Sequence, residues 1–392
     1  MMRQRYLQNL ITEDALKSNK MAFISGPRQV GKSTLAKGLL QVPQQYFNWD
    51  STGFRKKWVK DPEIAIGNEM QGIIVLDEIH KDRRWKQRLK GLYDMRGNSL
   101  HILVTGSARL DFYRKGGDSL MGRYIPYRLH PFSVGETTTP HSPDECESFL
   151  KGPAPYSWDD LVQYSGFPEP FMQASVSKAA RWSRLRLERL VQEDVRDFRA
   201  VDDIQAVKVL VDLLPERVGS LLSMNSLRED VGVAYATIRD WIQVLEVLYH
   251  CFLIRPYVGK LNRMVRAERK LYLFDSLQIS SIPKRLENLT ALHLLKACHF
   301  WTDTAQGEFD LHFLRTKDKA EVDFCITRDK KPWMLVECKS NSRTLSPTLI
   351  KFQAQLKTQH NFQLVTEKNY LKYYSDKRIH VGSYEKILGA LI

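Results

Sequence analysis

Eight consecutive residues carry the strongest chemical signal in the chain. Gly26-Pro27-Arg28-Gln29-Val30-Gly31-Lys32-Ser33 follows a short apolar run and opens a helical pattern, matching G-x-x-x-x-G-K-[ST] in a strand–loop–helix context. The glycines let backbone N–H groups turn inward toward phosphate oxygens, and the helix N-terminus adds favourable partial charge. Lys32 is expected to reach the β- and γ-phosphates of ATP, and the Ser33 hydroxyl to bind Mg²⁺. Thr34 ends the phosphate-binding stretch and is expected to pack or cap. Gly72-Ile-Ile-Val-Leu-Asp77-Glu78 supplies a second part. Its apolar residues read as a buried strand, and its acids emerge at the C-terminal end, where open α/β sheets bind ligands. Asp77 would then hold the Mg²⁺ shell, and Glu78 would orient and deprotonate the attacking water. Behind a third strand, Gly106-Ser107-Ala108-Arg109 offers Ser107 either as a γ-phosphate or water contact or as a helix N-cap. Arg109 and Arg123 are candidate arginine fingers, with a salt bridge the commoner role for such residues.

A second group of residues lies near the C-terminal end. Glu337 and Lys339 are two apart on an expected strand, so they point to the same face. Asp323 lies on the preceding strand, with Glu321 and Cys325 sharing its direction, and Glu287 lies on a helix before both. Taken alone, E-x-K has little weight, because Glu268-Arg-Lys270 and Asp329-Lys-Lys331 also match. The order of helix and strands and the partner Asp323 raise it. The same carboxylates facing a lysine would also suit a structural ion pair.

These residues need elements to position them. Ala22–Ser25, Gly72–Asp77 and His101–Thr105 read as short buried strands, each followed by a helical stretch, which is the pattern of a parallel sheet covered by helices. Amphipathic helices are expected over Arg181–Phe198, Ile204–Leu214 and Ala234–Leu248. A helix near Arg285–Ala297, strands near 309–315, 320–328 and 333–339, a helix near 346–358 and a strand near 361–366 complete the reading. The Pro-, Ser- and acid-rich stretch His141–Tyr156 reads as a linker. The expected division is 1–140, linker 141–156, 157–262 and 263–392.

Composition narrows the function classes. At 392 residues, with 43% hydrophobic and 27% charged, the chain is globular and multi-domain. No apolar run approaches 18 residues, the first residues lack a signal-peptide core, and five scattered cysteines form no C-x-x-C; a reducing cytoplasm and no membrane partner are expected. The net charge of +14 is uneven. Residues 1–140 hold 23 basic and 13 acidic side chains, 141–260 hold 14 and 18, and 261–392 hold 22 and 14. The basic ends suit nucleic acid or another polyanion, on weak grounds. The run Lys81–Lys90 is either a polyanion-binding helix or, more commonly, a solvated face whose Trp85 and Leu89 pack inward.

GPRQVGKST, IIVLDEIH, LVTGSARL and MGRYIPYRLHPFSVGE together resemble a large prokaryotic family of AAA+-type ATPases, with a winged helix and a C-terminal restriction-endonuclease-like α/β domain. Gly166-Phe-Pro-Glu169, Tyr272-Leu-Phe-Asp275, Leu286-Glu287-Asn288, Ala320-Glu-Val-Asp323-Phe and Val336-Glu337-Cys338-Lys339 extend the resemblance over nearly the whole chain. It implies an α/β P-loop (ASCE/AAA+-like) domain, a helical and winged-helix middle, and a fold similar to PD-(D/E)xK nucleases. In that frame Asp323 and Glu337 would bind Mg²⁺ or Mn²⁺ through hard oxygens, helped by the Cys338 carbonyl, Lys339 would position water, and Glu287 would support a metal water. A homo-oligomer or protein partner is also compatible. Ser226–Leu248 reads as a helix-turn-helix, which on DNA would place Tyr235, Thr237 and Arg239 in the major groove. Residues 204–260 balance six basic against six acidic groups, so a protein or intramolecular contact is favoured.

Overall fold

The structure is a computed structural model that describes residues 4–106, 120–137, 139–196, 203–258, 268–316, 318–339 and 343–392. The chain forms two compact units, one of residues 1–130 and 137–139, the other of 131–136 and 140–392.

The first unit is built around three largely apolar runs, each long enough for one strand buried on both faces, flanked by two half-buried strands. Its strands are β1 (Met21–Ser25), β2 (Tyr46–Asn48), β3 (Gly72–Asp77), β4 (Leu100–Thr105) and β5 (Tyr124–Arg128), all parallel, in the order β2-β3-β4-β1-β5. The three strands expected from the sequence are therefore central, with the loop-bearing β1 and the acid-bearing β3 separated by β4. Helices α1 (Lys32–Lys37), α2 (Thr52–Lys60), α3 (Pro62–Ile66) and α4 (Trp85–Arg96) pack with them, preceded by a short helical segment over 8–16. Trp58, Trp85 and Leu89 join Phe23, Ile74, Leu76 and Val104 in one core. The run Lys81–Lys90 thus buries Trp85 and Leu89, while Lys81 and Arg88 pair with Asp50 and Asp82.

The second unit begins with helices α5 (Trp158–Tyr164), α6 (Pro168–Gln173), α7 (Val176–Arg189), α8 (Ile204–Leu213), α9 (Met224–Val231) and α10 (Tyr235–Val247). The stretch 141–156 lies inside this unit: it carries a 3₁₀ helix over Pro143–Phe149, with Cys146 buried. Next come β6 (Cys251–Pro256), β7 (Lys270–Leu273), α11 (Ile282–Asp303), β8 (Phe309–Arg315), β9 (Glu321–Arg328), β10 (Lys331–Cys338), α12 (Pro347–Leu356), β11 (His360–Val365), β12 (Leu371–Tyr374), β13 (Ile379–Ser383) and α13 (Tyr384–Gly389). They form a mixed sheet ordered β12-β13-β11-β10-β9-β8-β6-β7. The meander β8–β9–β10 is antiparallel, whereas β11 joins β10 in parallel after the crossover through α12. Helices α9 and α10 meet at Gly232, whose φ of 76° ends α9 in the left-handed conformation that glycine adopts at no steric cost. Tyr235 and Arg239 are exposed on α10, and Arg239 is paired with Asp240 at 3.2 Å.

Candidate functional site

The phosphate loop starts where β1 leaves the sheet. Gly26 has φ 146°, and a Cβ built there would lie 2.2 Å from the Leu129 carbonyl oxygen, so no larger residue fits. Gly31, at φ 97°, caps α1. Lys32 is only 8% exposed, and its ammonium donates to the carbonyls of Gly26 (2.9 Å) and Pro27 (2.7 Å), spanning the concave side of the loop. Thr34 is exposed on α1.

Asp77 collects hydroxyl donors at the C-terminal edge of the sheet. Its Oδ2 accepts from Ser33 Oγ at 2.9 Å and from the Tyr46 hydroxyl, and its Oδ1 accepts from Thr105 Oγ1 at 2.5 Å. Strand register makes this possible: Asp77 lies opposite Thr105 on β4. Burial, with Asp77 beside it, raises the pKa of the Tyr46 hydroxyl well above its usual range. Tyr46 and Thr105 are neighbours of Asp77 that the sequence alone did not single out. Thr105 ended an expected strand and could have been found from that position; nothing local marks Tyr46.

Glu78 leaves the strand with φ 56°, a left-handed conformation that costs an L-residue on the order of 1 kcal/mol. Its N–H donates to the Thr105 carbonyl at 2.9 Å, which holds that turn. Its Oε2 is buried without a hydrogen-bond partner, although His80 Nε2 stands 3.5 Å away and Lys81 Nζ 3.9 Å. Burial raises the Glu78 pKa above its ordinary value against the opposing pull of Lys32 and Lys81. A largely desolvated carboxylate oxygen that accepts no hydrogen bond, beside a lysine-bearing loop, suits the chemistry of a general base. Ser33 and Asp77, hydroxyl and carboxylate at 2.9 Å, are a hard-oxygen pair of the type Mg²⁺ takes. The narrow approach at Gly26, the buried ammonium of Lys32 and the Glu78 oxygen that accepts no hydrogen bond fit a magnesium nucleotide.

Ser107 and Arg109 lie outside the described residues. Arg123 is bound to Asp94 through Nε at 2.8 Å and Nη2 at 3.1 Å on the surface, so it carries the salt bridge and not a free guanidinium.

The four C-terminal candidates also come together. The Asp323 N–H points to Glu337 Oε2 at 3.4 Å, and Asp323 Oδ2 accepts from the Cys338 N–H at 2.8 Å. Lys339 Nζ lies 2.9 Å from Glu337 Oε1, which also accepts from Ser346 Oγ at 3.2 Å. Glu287 accepts from the buried Tyr272 hydroxyl at 2.8 Å. Asn288 fixes its helix by pairing both ways with the Leu273 backbone, at 2.7 and 2.8 Å. Lys270, 2% exposed, is the residue sequence reasoning set aside: it faces Glu287 at 3.8 Å and pairs with Glu321. Desolvation, followed by the charges of Glu337 and Glu287, pushes the Asp323 pKa well above its ordinary value. Burial likewise raises Glu287, with Lys270 opposing. For Lys270, burial lowers the pKa but Glu287 and Asp323 outweigh it, and the net direction is up. Among the described residues, no group of three or more His, Cys, Asp or Glu is arranged to hold a metal ion. Asp323 and Glu337 are thus a pair of oxygen donors rather than a full cage.

Residues 18–138 match the family model described as "AAA domain". Residues 18–138 form an AAA-type P-loop domain. Beyond the AAA-type domain, two models described as domains of unknown function (DUF8612 and DUF4143) match residues 156–277 and 284–390. An uncharacterised protein of Mycobacterium tuberculosis is 22% identical over 96% of this chain and 85% of its own length. Another, from Methanocaldococcus jannaschii, is 27% identical over 64% of this chain and 60% of its own length. Among solved structures, an Orc1 protein of Aeropyrum pernix in complex with DNA aligns with 74% of this chain and 93% of its own, at 14% identity and a TM-score of 0.31. No helix among the described residues is long and apolar enough to cross a membrane.

Proposed function

We propose that the AAA-type domain binds ATP with Mg²⁺ and hydrolyses it. The observation that carries this reading is the meeting of two separate segments at one sheet edge: Ser33 on the loop helix, and Asp77 at the end of β3 with Glu78, whose Oε2 accepts no hydrogen bond, next to it. Residues Gly26 to Ser33 wrap the phosphates, Lys32 turns its ammonium from the loop carbonyls to phosphate oxygens, and Ser33 and Asp77 hold the metal. Bound Mg²⁺ supplies positive charge to the phosphate oxygens. Glu78 takes the proton of the attacking water. Titration with a fluorescent ATP analogue tests the assignment: Lys32→Ala should abolish binding, and unchanged affinity would remove it.

A second reading concerns the acid–lysine cluster, favoured by the convergence of Glu287, Asp323, Glu337 and Lys339 from one helix and two strands. We infer that Asp323 and Glu337 bind Mg²⁺ or Mn²⁺ in a PD-(D/E)xK-like domain over 263–392, with Lys339 positioning water. Its phosphodiester substrate would be nucleic acid, and the helix pair α9–α10 of a winged-helix middle would contact protein. Calorimetric titration of Mn²⁺ into the full chain carrying Asp77→Asn, which silences the first metal site, decides this. Binding that is absent, or unaltered by Asp323→Asn, would leave a structural ion-pair cluster.

A further inference from the structure

The stretch Tyr127–Glu136 is absorbed by neither site, yet it begins under the phosphate loop. Leu129 donates its N–H to Ser25 at 2.8 Å, and its carbonyl oxygen closes off the Cα of Gly26. On the other side of the loop, Arg5 is 5% exposed and donates Nη1 to the Val30 carbonyl at 2.8 Å and Nη2 to the His130 carbonyl at 2.5 Å. The guanidinium therefore ties a loop residue and a post-β5 residue in one rigid fork. Tyr6 adds to the grip: its hydroxyl donates to the Arg128 carbonyl at 2.6 Å and accepts from the His130 N–H at 3.0 Å.

The next residue is Pro131, and from there to Glu136 the chain belongs to the second unit. Its anchoring there is dense. Phe132 donates to the Gly166 carbonyl at 2.7 Å, and Val134 donates to His293 Nε2 at 3.0 Å. Lys296, 1% exposed, reaches the Pro131 carbonyl (3.3 Å), Ser133 Oγ (2.7 Å) and Glu136 Oε2 (2.5 Å). A Cβ at Gly135 would meet the Gly389 carbonyl at 2.6 Å. One peptide bond, stiffened by proline, thus separates a segment gripped at the phosphate loop from a segment locked into the other unit's core.

We propose that Arg5 is a positioning residue that couples the phosphate loop to the 129–136 strap, so that nucleotide occupancy is transmitted along the chain to the second unit. This rests on the phosphate-loop reading above. When loop N–H groups close on phosphate, Val30 moves with them, and Arg5 must either carry His130 along or lose a buried hydrogen bond. Pro131 follows His130 directly, so a displacement of His130 acts on the first residue of the strap's second half.

Hydrogen-exchange mass spectrometry on the full chain, with and without AMPPNP–Mg²⁺, tests it alongside an affinity measurement for the same nucleotide. In the wild type, nucleotide should change exchange at the amides of Phe132–Glu136 by at least about fivefold, within the range of ordinary site-to-site coupling. In Arg5→Ala the loop amides should still be protected by nucleotide while the response at Phe132–Glu136 disappears. Tyr6→Phe, which keeps the ring and removes two hydrogen bonds, should shrink the strap response if Arg5→Ala proves unfolded by circular dichroism. Nucleotide that binds the wild type without altering strap exchange overturns the coupling alone, as does a strap response unchanged in the variants. Absence of nucleotide binding to the wild type overturns the phosphate-loop reading, and the coupling with it.

Discussion

In the phosphate-loop site Asp77 and Lys32 are held by neutral hydroxyls and carbonyls, whereas in the acid–lysine cluster carboxylates press directly against lysines. Asp77 is met by the hydroxyls of Ser33, Tyr46 and Thr105, and Lys32 by two backbone carbonyls. The partners in these contacts are neutral hydroxyls and carbonyls, while Glu78 lies within the pull of Lys32 and Lys81. In the second site Lys270 and Lys339 already sit against Glu287, Glu321 and Glu337. On the proposed nucleotide reading the first receives charge from outside, whereas the second pairs its charges from within. A cation entering the second site must compete with lysines and with the proton that burial favours on Asp323.

The largest effect that would sharpen this contrast lies at Glu78. Glu78→Gln keeps the shape of the turn but cannot accept a proton from water. Steady-state phosphate release should fall by about 10²–10⁴-fold, the usual worth of a positioned general base. Nucleotide affinity should hold, because Lys32 and the loop are untouched. Equal turnover in variant and wild type would take Glu78 out of the chemistry and leave only a binding site at this sheet edge.

The next effect is on folding and lies in the other site. Lys270→Met leaves Glu287, Glu321 and Asp323 crowded in a buried space with their central cation gone. Urea denaturation should show a loss of about 3–5 kcal/mol, the typical cost of stripping one partner from a buried ion pair. Lys32→Ala removes hydrogen bonds to two backbone carbonyls rather than a contact with a crowd of carboxylates, and should cost about 1 kcal/mol. If the two variants lose equal stability, the contrast between an open and a self-compensated site is wrong.

The two sites also differ in how far the sequence reveals them. The phosphate loop and the Asp77–Glu78 pair are local: eight consecutive residues and the end of one apolar run define them, and β1, β3 and β4 follow from unbroken apolar segments. Their supports are not local. Tyr46 reaches Asp77 from the neighbouring strand, and Arg5 reaches Val30 across 25 positions, so only the tertiary fold joins them. In the second site, strand periodicity placed Glu337 and Lys339 on one face, and the residue order brought in Asp323 and Glu287. Lys270 was hidden because its Glu-Arg-Lys surroundings look like an accidental repeat of the E-x-K pattern. Its role comes from β7 lying under α11, a pairing fixed by Asn288 and the Leu273 backbone. The stretch 141–156 has the composition of a linker, yet Cys146 is buried and Glu147 is held by His360 at 2.7 Å and His380 at 3.2 Å, contacts made to strands more than 200 residues away.

The smallest effect is the most discriminating. Asp323 is crowded by Glu337 and Glu287, and its folded-state pKa lies above the ordinary 3.8. For a carboxyl raised in the folded state, the native protein holds the extra proton, so this group's contribution to stability falls as pH rises from the ordinary value through the raised one. Asp323→Asn keeps an oxygen to accept from the Cys338 N–H and removes the charge. Without divalent metal, the variant should therefore be as stable as wild type or more so, by about 0.5–1 kcal/mol, since residues kept for function are commonly not optimal for stability. Its advantage should widen with rising pH, because only the wild type pays for ionising Asp323. With Mn²⁺ present the order should reverse, as the wild type gains the binding energy of its two carboxylates and the variant loses one ligand. Thermal melts at several pH values, with EDTA and with Mn²⁺, read all of this in one series. A variant less stable than wild type in EDTA across the whole range would mean that Asp323 is fully compensated by Lys270 and Lys339, and that the cluster is a finished ion-pair network with no place left for a metal.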